Sequence, residues 1–262
     1  MSVVKVEFQG DLAIITIDNP PVNALSQSVR SGIVAVMEEV DGNSEAKAAV
    51  LFCAGRTFCA GADIREFDSP PKPPHLSEVI ARVEASDKPV VAALHGTALG
   101  GGFELSMGCH YRVALPSARV GLPEVTLGLL PGAAGTQRLP RLIGAEQALD
   151  MMVTGKPISA VAADAAGIVD QLIEGEDLLM GAIAYTTDLV AQGRGVRRVR
   201  DLEVAPVSPE FFDEYRKKSE RSTRGLMSPE KIIQSVKASI EIPFDDAAAQ
   251  ERAFFAECKA SS

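Results

Sequence analysis

Three short runs of small and β-branched residues constrain this chain more than any other feature: Ala13–Ile17 (AIITI), Ala48–Cys53 (AAVLFC) and Pro89–Leu94 (PVVAAL). None alternates apolar with polar, so a strand made from any of them must be covered on both faces. The first is bounded by Gly10-Asp11 and by Asp18-Asn19-Pro20-Pro21, which are turn signals. Between the first two runs, Val29, Ile33, Val36, Met37 and Val40 recur at helical spacing within Leu25–Val40. Doubly covered strands with helices between them specify an α/β fold with parallel pairing. From Ala145 onward the pattern turns helical, over Ala145–Val153, Ala160–Ala166, Asp177–Ala191, Pro209–Arg221, Pro229–Ile240 and Asp245–Lys259. Ser69–Pro74 (SPPKPP) reads as a surface loop, because its prolines lack amide donors. The basic stretch Gly193–Asp201 (GRGVRRVRD) reads as a solvated connection.

With 262 residues, 46% of them hydrophobic, the chain can bury a sizeable core. Its net charge of −9 argues against nucleic acid as a partner, since phosphate backbones demand a basic footprint. A small anionic ligand remains compatible, because it needs only local donors. No stretch approaches the roughly 18 consecutive apolar residues of a membrane span. Cys53, Cys59, Cys109 and Cys258 show neither metal-ligand spacing nor a disulfide framework. The first residues, MSVVKVEFQGD, lack a basic region followed by an apolar one, so a reducing, cytoplasmic setting is expected.

Chemistry concentrates in three segments. Gly55–Phe67 (GRTFCAGADIREF) follows the Ala48–Cys53 strand, His95–Gly108 (HGTALGGGFELSMG) follows Pro89–Leu94, and Val120–Arg138 (VGLPEVTLGLLPGAAGTQR) comes next. The first two each run from a strand through a glycine-rich turn into a helix. Small residues let a ligand reach the backbone, and the first amides of a helix have no internal acceptor. Two such turns at one sheet edge could aim two amides at a single oxygen, an oxyanion hole. Taken alone, Gly100-Gly101-Gly102 favours close helix–strand packing or a flexible turn. Glu104 falls in the first turn of the helix the glycines open, flanked by Phe103 and Leu105, which implies a partly buried acid. Glu124 follows Gly121-Leu122-Pro123 at the end of a strand; alone it reads as an exposed turn residue. Two carboxyl groups in unlike surroundings are what acid–base work at neutral pH requires.

Other chemistries lack their signatures. The glycines do not follow the dinucleotide-binding spacing. Ser106 lies in Glu-Leu-Ser-Met-Gly rather than a nucleophile elbow, and Gly155-Lys156 runs into Pro157, not a phosphate loop's hydroxyl residue. His75, His95 and His110 are not spaced as metal ligands, and His95 and His110 are expected to be packed or hydrogen-bonded near the sheet.

Four ordered blocks, FCAGADI (Phe58–Ile64), HGTALGGGFEL (His95–Leu105), GLPEVTLGLLPGAAGTQRLPRLIG (Gly121–Gly144) and TGKPISAVAADAAGIVD (Thr154–Asp170), resemble the enoyl-CoA hydratase/isomerase (crotonase) superfamily. The likeness runs from Val3 to about Leu179; the visible departure is Ala134, where many members carry glycine in PGAGGTQR. The resemblance implies an α/β, crotonase-like spiral of ββα units over residues 1–192, with a helical C-terminal region over 193–262. It implies an enoyl-CoA hydratase of fatty-acid β-oxidation, with the amides of Ala62 and Gly101 as oxyanion hole and Glu104 and Glu124 as the acid–base pair. Ala60, Gly61, Asp63 and Ile64 would join them in binding substrate, Ala60 and Ile64 along the pantetheine, with Arg56 and Arg65 as candidates for the CoA phosphates. No metal or separate cofactor is implied, coenzyme A being part of the substrate. Retention of both glutamates favours hydration over Δ3,Δ2-enoyl-CoA isomerisation, and over a non-catalytic acyl-CoA-binding module. The segments RRVRDLEV (Arg197–Val204) and PFDDAAAQERAFFAE (Pro243–Glu257) resemble the lead into the dehydrogenase half of multifunctional oxidation proteins. A covalent continuation of that kind, or a stand-alone homotrimer or hexamer, is the implied assembly.

Overall fold

Period-two geometry explains why the apolar runs are unbroken. The computed structural model describes residues 2–66, 70, 72–175 and 177–261. In chain order they form β1 (Val4–Gln9), β2 (Leu12–Ile17), α1 (Gln27–Gly42), β3 (Ala48–Cys53), α2 (Leu76–Glu84), β4 (Val90–Leu94), β5 (Thr97–Leu99) and α3 (Gly101–Gly108). There follow β6 (Tyr111–Ala114), β7 (Arg119–Gly121), α4 (Gly135–Ile143), α5 (Ala145–Thr154), β8 (Ile158–Ser159), α6 (Ala160–Ala165) and β9 (Gln171–Leu172). The last elements are α7 (Leu178–Ala191), α8 (Phe211–Thr223), α9 (Met227–Glu241) and α10 (Phe244–Ser261). Short 3-10 turns occupy Ile64–Glu66, Glu124–Leu127 and Val199–Asp201.

The chain divides into two compact units, residues 1–120 with 158–198, and residues 121–157 with 199–262. This division differs from the expected one at 192/193. Helices α4 and α5 pack on α9, and α4 also on α10, so the segment carrying them groups with the C-terminal helices.

The first unit is built on a sheet of order β1-β2-β3-β4-β6-β9, parallel throughout except for the antiparallel β1–β2 pair. Leu12, Ile14, Ala48, Val50, Val91, Ala93 and Val113 point to one face, where Leu178, Ala182, Tyr185 and Leu189 of α7 cover them. Their neighbours Ala13, Ile15, Ile17, Ala49, Leu51 and Cys53 point to the other face and are equally buried. The five apolar positions expected of α1 are all buried. A second, small sheet has the order β5-β7-β8. Within the second unit, α9 is the central helix, with Ile232, Ile233 and Val236 buried.

The basic stretch is not the solvated connection expected. Arg194 and Arg197 lie over the Tyr111 ring at 4.9 and 4.7 Å, and Arg197 Nη2 donates to Asp170 Oδ1 at 2.6 Å. Arg198 Nε donates to the Glu84 carbonyl at 3.0 Å. The guanidinium groups of Arg194, Arg197 and Arg198 thus each find an acceptor or a ring on the first unit, whereas Arg200 donates to the Asp245 carboxylate at 2.7 Å. Of the expected loop Ser69–Pro74, Ser69 and Pro71 lie outside the described residues; the others are neither helix nor strand. The carbonyls of Lys72 and Pro74 accept from the Arg30 guanidinium at 3.0 and 2.8 Å.

Candidate active site

Strands β3 and β4 are parallel neighbours, so the chain leaves both at the same sheet edge and the two glycine-rich turns meet there. Backbone bonds join the turns. Phe58 N donates to His95 O at 2.9 Å, Cys59 N to Thr97 O at 3.1 Å, and Leu99 N to Cys59 O at 3.0 Å. The hydroxyls of Thr57 and Thr97 meet at 2.8 Å.

Glycine is required at two points by close approach. A Cβ at Gly96 would stand 2.3 Å from the Arg56 carbonyl oxygen, and one at Gly102 would stand 2.4 Å from that of Cys59. Gly100 makes the entry to α3 with φ +52. The result is a tight pairing of Gly61-Ala62 with Gly100-Gly101. A Cβ placed on Gly101 would lie 3.4 Å from Ala62 N, and one on Gly61 would lie 3.7 Å from Gly101 N. Neither the Ala62 nor the Gly101 amide donates to an acceptor among the described residues. Gly101 opens α3, where the helix dipole adds positive potential. Two neighbouring amides backed by a helix N-terminus can hold an oxygen on which negative charge develops.

Glu104 stands in the first turn of α3, with its own amide on the Gly100 carbonyl at 2.9 Å. Every residue of α3 is buried, and Glu104 is only 3% exposed, more enclosed than the sequence suggested. Ala60 and Ala62 are exposed, Gly61 and Asp63 buried. The side chain of Ile64 lies outside what the structure describes. Arg56 and Arg65 are both exposed, yet they differ. Arg65 is clamped by Asp63, with Nε to Oδ1 at 2.9 Å and Nη2 to Oδ2 at 2.7 Å. The Arg65 guanidinium holds the Asp63 carboxyl below the ordinary carboxylate range, against the opposing effect of burial.

Glu124 belongs to the second unit. It opens the 3-10 turn after Pro123 and is half-buried. The turn is closed by local bonds: the Glu124 carbonyl accepts from Leu129 N at 3.1 Å, and Thr126 Oγ1 donates to the Pro123 carbonyl at 2.7 Å. Gly155, which caps the C-terminus of α5, lies against it, since a Cβ there would come within 3.0 Å of Thr126 and Val125 side-chain carbons.

Both internal histidines have packing roles. His95 stacks on Phe52 with ring centroids 5.4 Å apart, and its Nε2 meets the Gly55 carbonyl at 3.1 Å. His110 Nδ1 accepts from Val90 N at 2.9 Å, so Nε2 carries the proton that faces the Glu84 carbonyl at 3.2 Å.

Asn23 escaped the sequence reading. It is buried with φ +53, a left-handed backbone that asparagine tolerates better than most residues. Its Nδ2 donates to the carbonyls of Ala54 and Thr57 at 2.7 and 2.9 Å, which ties the Asp18–Leu25 turn to the first glycine turn. Ala60 N completes the junction on the Val22 carbonyl at 3.1 Å. The available signal was an asparagine straight after the Pro20-Pro21-Val22 turn.

Comparison with known proteins identifies the family. The family model described as enoyl-CoA hydratase/isomerase matches residues 7–252. A peroxisomal bifunctional enzyme from Danio rerio is 43% identical over 243 residues, covering 92% of this chain and 33% of that one. A probable enoyl-CoA hydratase from Bacillus subtilis (strain 168) is 40% identical over 176 residues, 64% of this chain and 68% of the relative. The crystal structure of enoyl-CoA hydratase from Mycobacterium tuberculosis H37Rv superposes with a TM-score of 0.69 at 28% identity, over 91% of this chain and 89% of that one. The chain spans about a third of the length of its bifunctional relatives.

Proposed function

Because the chain belongs to the enoyl-CoA hydratase/isomerase family, we propose that it hydrates 2-enoyl-CoA to 3-hydroxyacyl-CoA in fatty-acid β-oxidation. The thioester oxygen accepts from the amides of Ala62 and Gly101. Glu104, ionised, takes a proton from water as the hydroxyl oxygen bonds to C3. The electron pair of the alkene shifts toward the thioester, and the enolate charge rests on the two amides. Glu124, protonated, then delivers its proton to C2. Glu104 ends protonated and Glu124 ionised, and exchange with solvent resets both. The reaction needs no resident cofactor, since every bond change is a proton transfer or an addition of water.

The observation that carries this reading is the adjacency of the Ala62 and Gly101 amides at the start of α3. The presence of both Glu104 and Glu124 favours hydration over isomerisation, for which one acid–base carboxylate suffices. The test follows loss of the conjugated-enoyl absorbance of crotonyl-CoA. Glu104→Gln and Glu124→Gln are each expected to slow turnover by roughly 10²–10⁴ while thioester binding survives. Wild-type rates in both variants would end the assignment, and formation of a conjugated product from a 3-enoyl-CoA would reveal isomerase activity.

Acyl-CoA is thus the proposed partner. Relatives named bifunctional support a continuation into a module acting on the 3-hydroxyacyl product; a homotrimer or hexamer is the alternative, distinguished by light scattering. Among the described residues no helix is long and apolar enough to cross a membrane. The proposed compartment is the cytoplasm, in keeping with four free cysteines; relatives carry peroxisomal names, and cell fractionation decides between the two.

A further inference from the structure

Within the second unit, α10 carries a carboxylate with no exposure at all, Glu251. Its Oε1 accepts from Ala134 N at 2.6 Å and its Oε2 from Thr136 N at 2.9 Å; the Thr136 hydroxyl also donates to Oε2. Thr136 Oγ1 meets Ser235 Oγ of α9 at 2.6 Å, and Gln137 Nε2 donates to the Ser235 carbonyl at 3.0 Å. One helical turn on from Glu251, on the same face, the Phe255 ring lies where a Cβ on Gly132 would be only 2.8 Å away. The helix therefore grips residues 132–136 at two points.

Those residues are continuous with the Glu124 turn. Leu129 N is bonded to the Glu124 carbonyl, Leu129 and Leu130 are buried, and Pro131 leads directly into Gly132. Ala134 has φ +68, a conformation disfavoured for any residue with a Cβ, so external bonds must hold it. Glu251 supplies one of them.

We propose that Glu251 is a positioning residue for the acid at 124: α10 fixes the 132–136 loop, and the loop fixes the turn on which Glu124 stands. The inference rests on the hydratase reading above. Glutamine at 251 keeps the shape but has one acceptor oxygen, so its NH2 must face either the Ala134 or the Thr136 N–H. The loop then shifts, and displacement of a reacting group by about 1 Å costs on the order of 10²-fold in rate. The amides of Ala62 and Gly101 belong to the other unit, where the bonds joining the two glycine turns run between residues 58–59 and 95–99 and do not involve Glu251.

Steady-state kinetics on crotonyl-CoA test this with four full-length proteins: wild type, Glu251→Gln, Glu124→Gln and the double variant. Thermal melting first verifies that each is folded. Glu251→Gln should lower kcat by about 10- to 100-fold with KM unchanged. In the Glu124→Gln background the same substitution should cost nothing further, because the group it positions is already gone. Wild-type kcat in Glu251→Gln, or the same factor multiplying in the double variant, overturns the proposal. Failure of the hydratase reading shows itself separately, as full turnover by Glu124→Gln alone. Should Glu251→Gln not fold, Thr136→Val removes one donor to the same carboxylate and must give the same split in smaller measure; wild-type kcat there is equally fatal.

Discussion

Replacing Gly102 by alanine places a methyl carbon 2.4 Å from the Cys59 carbonyl oxygen and 2.8 Å from its Sγ. Ordinary contact begins near 3.4 Å, so the two glycine turns must part by about 1 Å. The obstacle is backbone, which cannot swing aside as a side-chain tip would. Parting strains the Cys59–Thr97 and Leu99–Cys59 bonds, and overpacking of this sort costs about 1–3 kcal/mol. Against a typical stability of about 5–15 kcal/mol the protein stays folded at room temperature. Turnover should suffer far more, because the same movement separates Ala62 N from Gly101 N. Loss of one oxyanion donor typically costs about 10²–10³ in kcat. Crotonyl-CoA hydration per folded molecule, with folding checked by thermal melting, measures both effects. Gly42→Ala, where an added Cβ meets nothing within 4 Å, serves as the control and should behave as wild type. A folded Gly102→Ala protein with full kcat would refute the claim that close packing of the turns aligns the amides.

Two further outcomes follow from backbone strain and from burial. Ala134→Gly relieves a left-handed alanine worth about 1–2 kcal/mol and adds about 0.4–1 kcal/mol of unfolded-state freedom. The net gain of about 0.5–1 kcal/mol should raise Tm by roughly 1–4 °C, and a lowered Tm would contradict strain at this position. Burial pushes the His110 pKa down to about 4, with the Glu84 carbonyl only partly opposing it. The folded value lies below the unfolded value of about 6.5, so the stability held by neutral His110 is fully present above the latter and drains away as pH falls toward 4. The difference amounts to about 3 kcal/mol, read from urea unfolding at neutral pH and near pH 4. His110→Gln should flatten that slope by a similar amount; an unchanged slope would mean that other groups account for it.

What the sequence disclosed and what it hid divide along the range of the interactions involved. Strands β2, β3 and β4 and helix α1 are local patterns, and every apolar position expected of α1 is buried, with Arg30 beside them. The glycine turns and Glu104 were legible for the same reason, as strand–turn–helix junctions. Helix α4 was not, because Pro140 lies inside it and its first amides are met by Glu251, more than a hundred positions away in the chain. The edge strand β1 is exposed along most of its length, so it lacks the continuous apolar signature of its neighbours. The grouping of residues 121–157 with 199–262 was not legible, because α4 and α5 pack on helices that come later in the chain and no local property of residues 121–157 reveals that.

The glycine triplet raised a choice between close packing and chemistry, and under the proposed hydratase reading the two are compatible. Gly100 turns the chain, Gly102 admits the Cys59 carbonyl, and their joint effect is to bring Gly101 N beside Ala62 N. Packing is therefore the means by which the amides are aligned, not a competing use of the same residues. The two roles can still be separated by substitution. A side chain at Gly101 meets the Leu76 side chain at 2.6 Å, which can yield, and Ala62 N at 3.4 Å, so it intrudes directly on the proposed oxygen-binding position. A side chain at Gly102 meets unyielding backbone and acts at a distance. On this logic alanine at 101 raises KM for the thioester along with lowering kcat, whereas alanine at 102 first opens the junction between the turns.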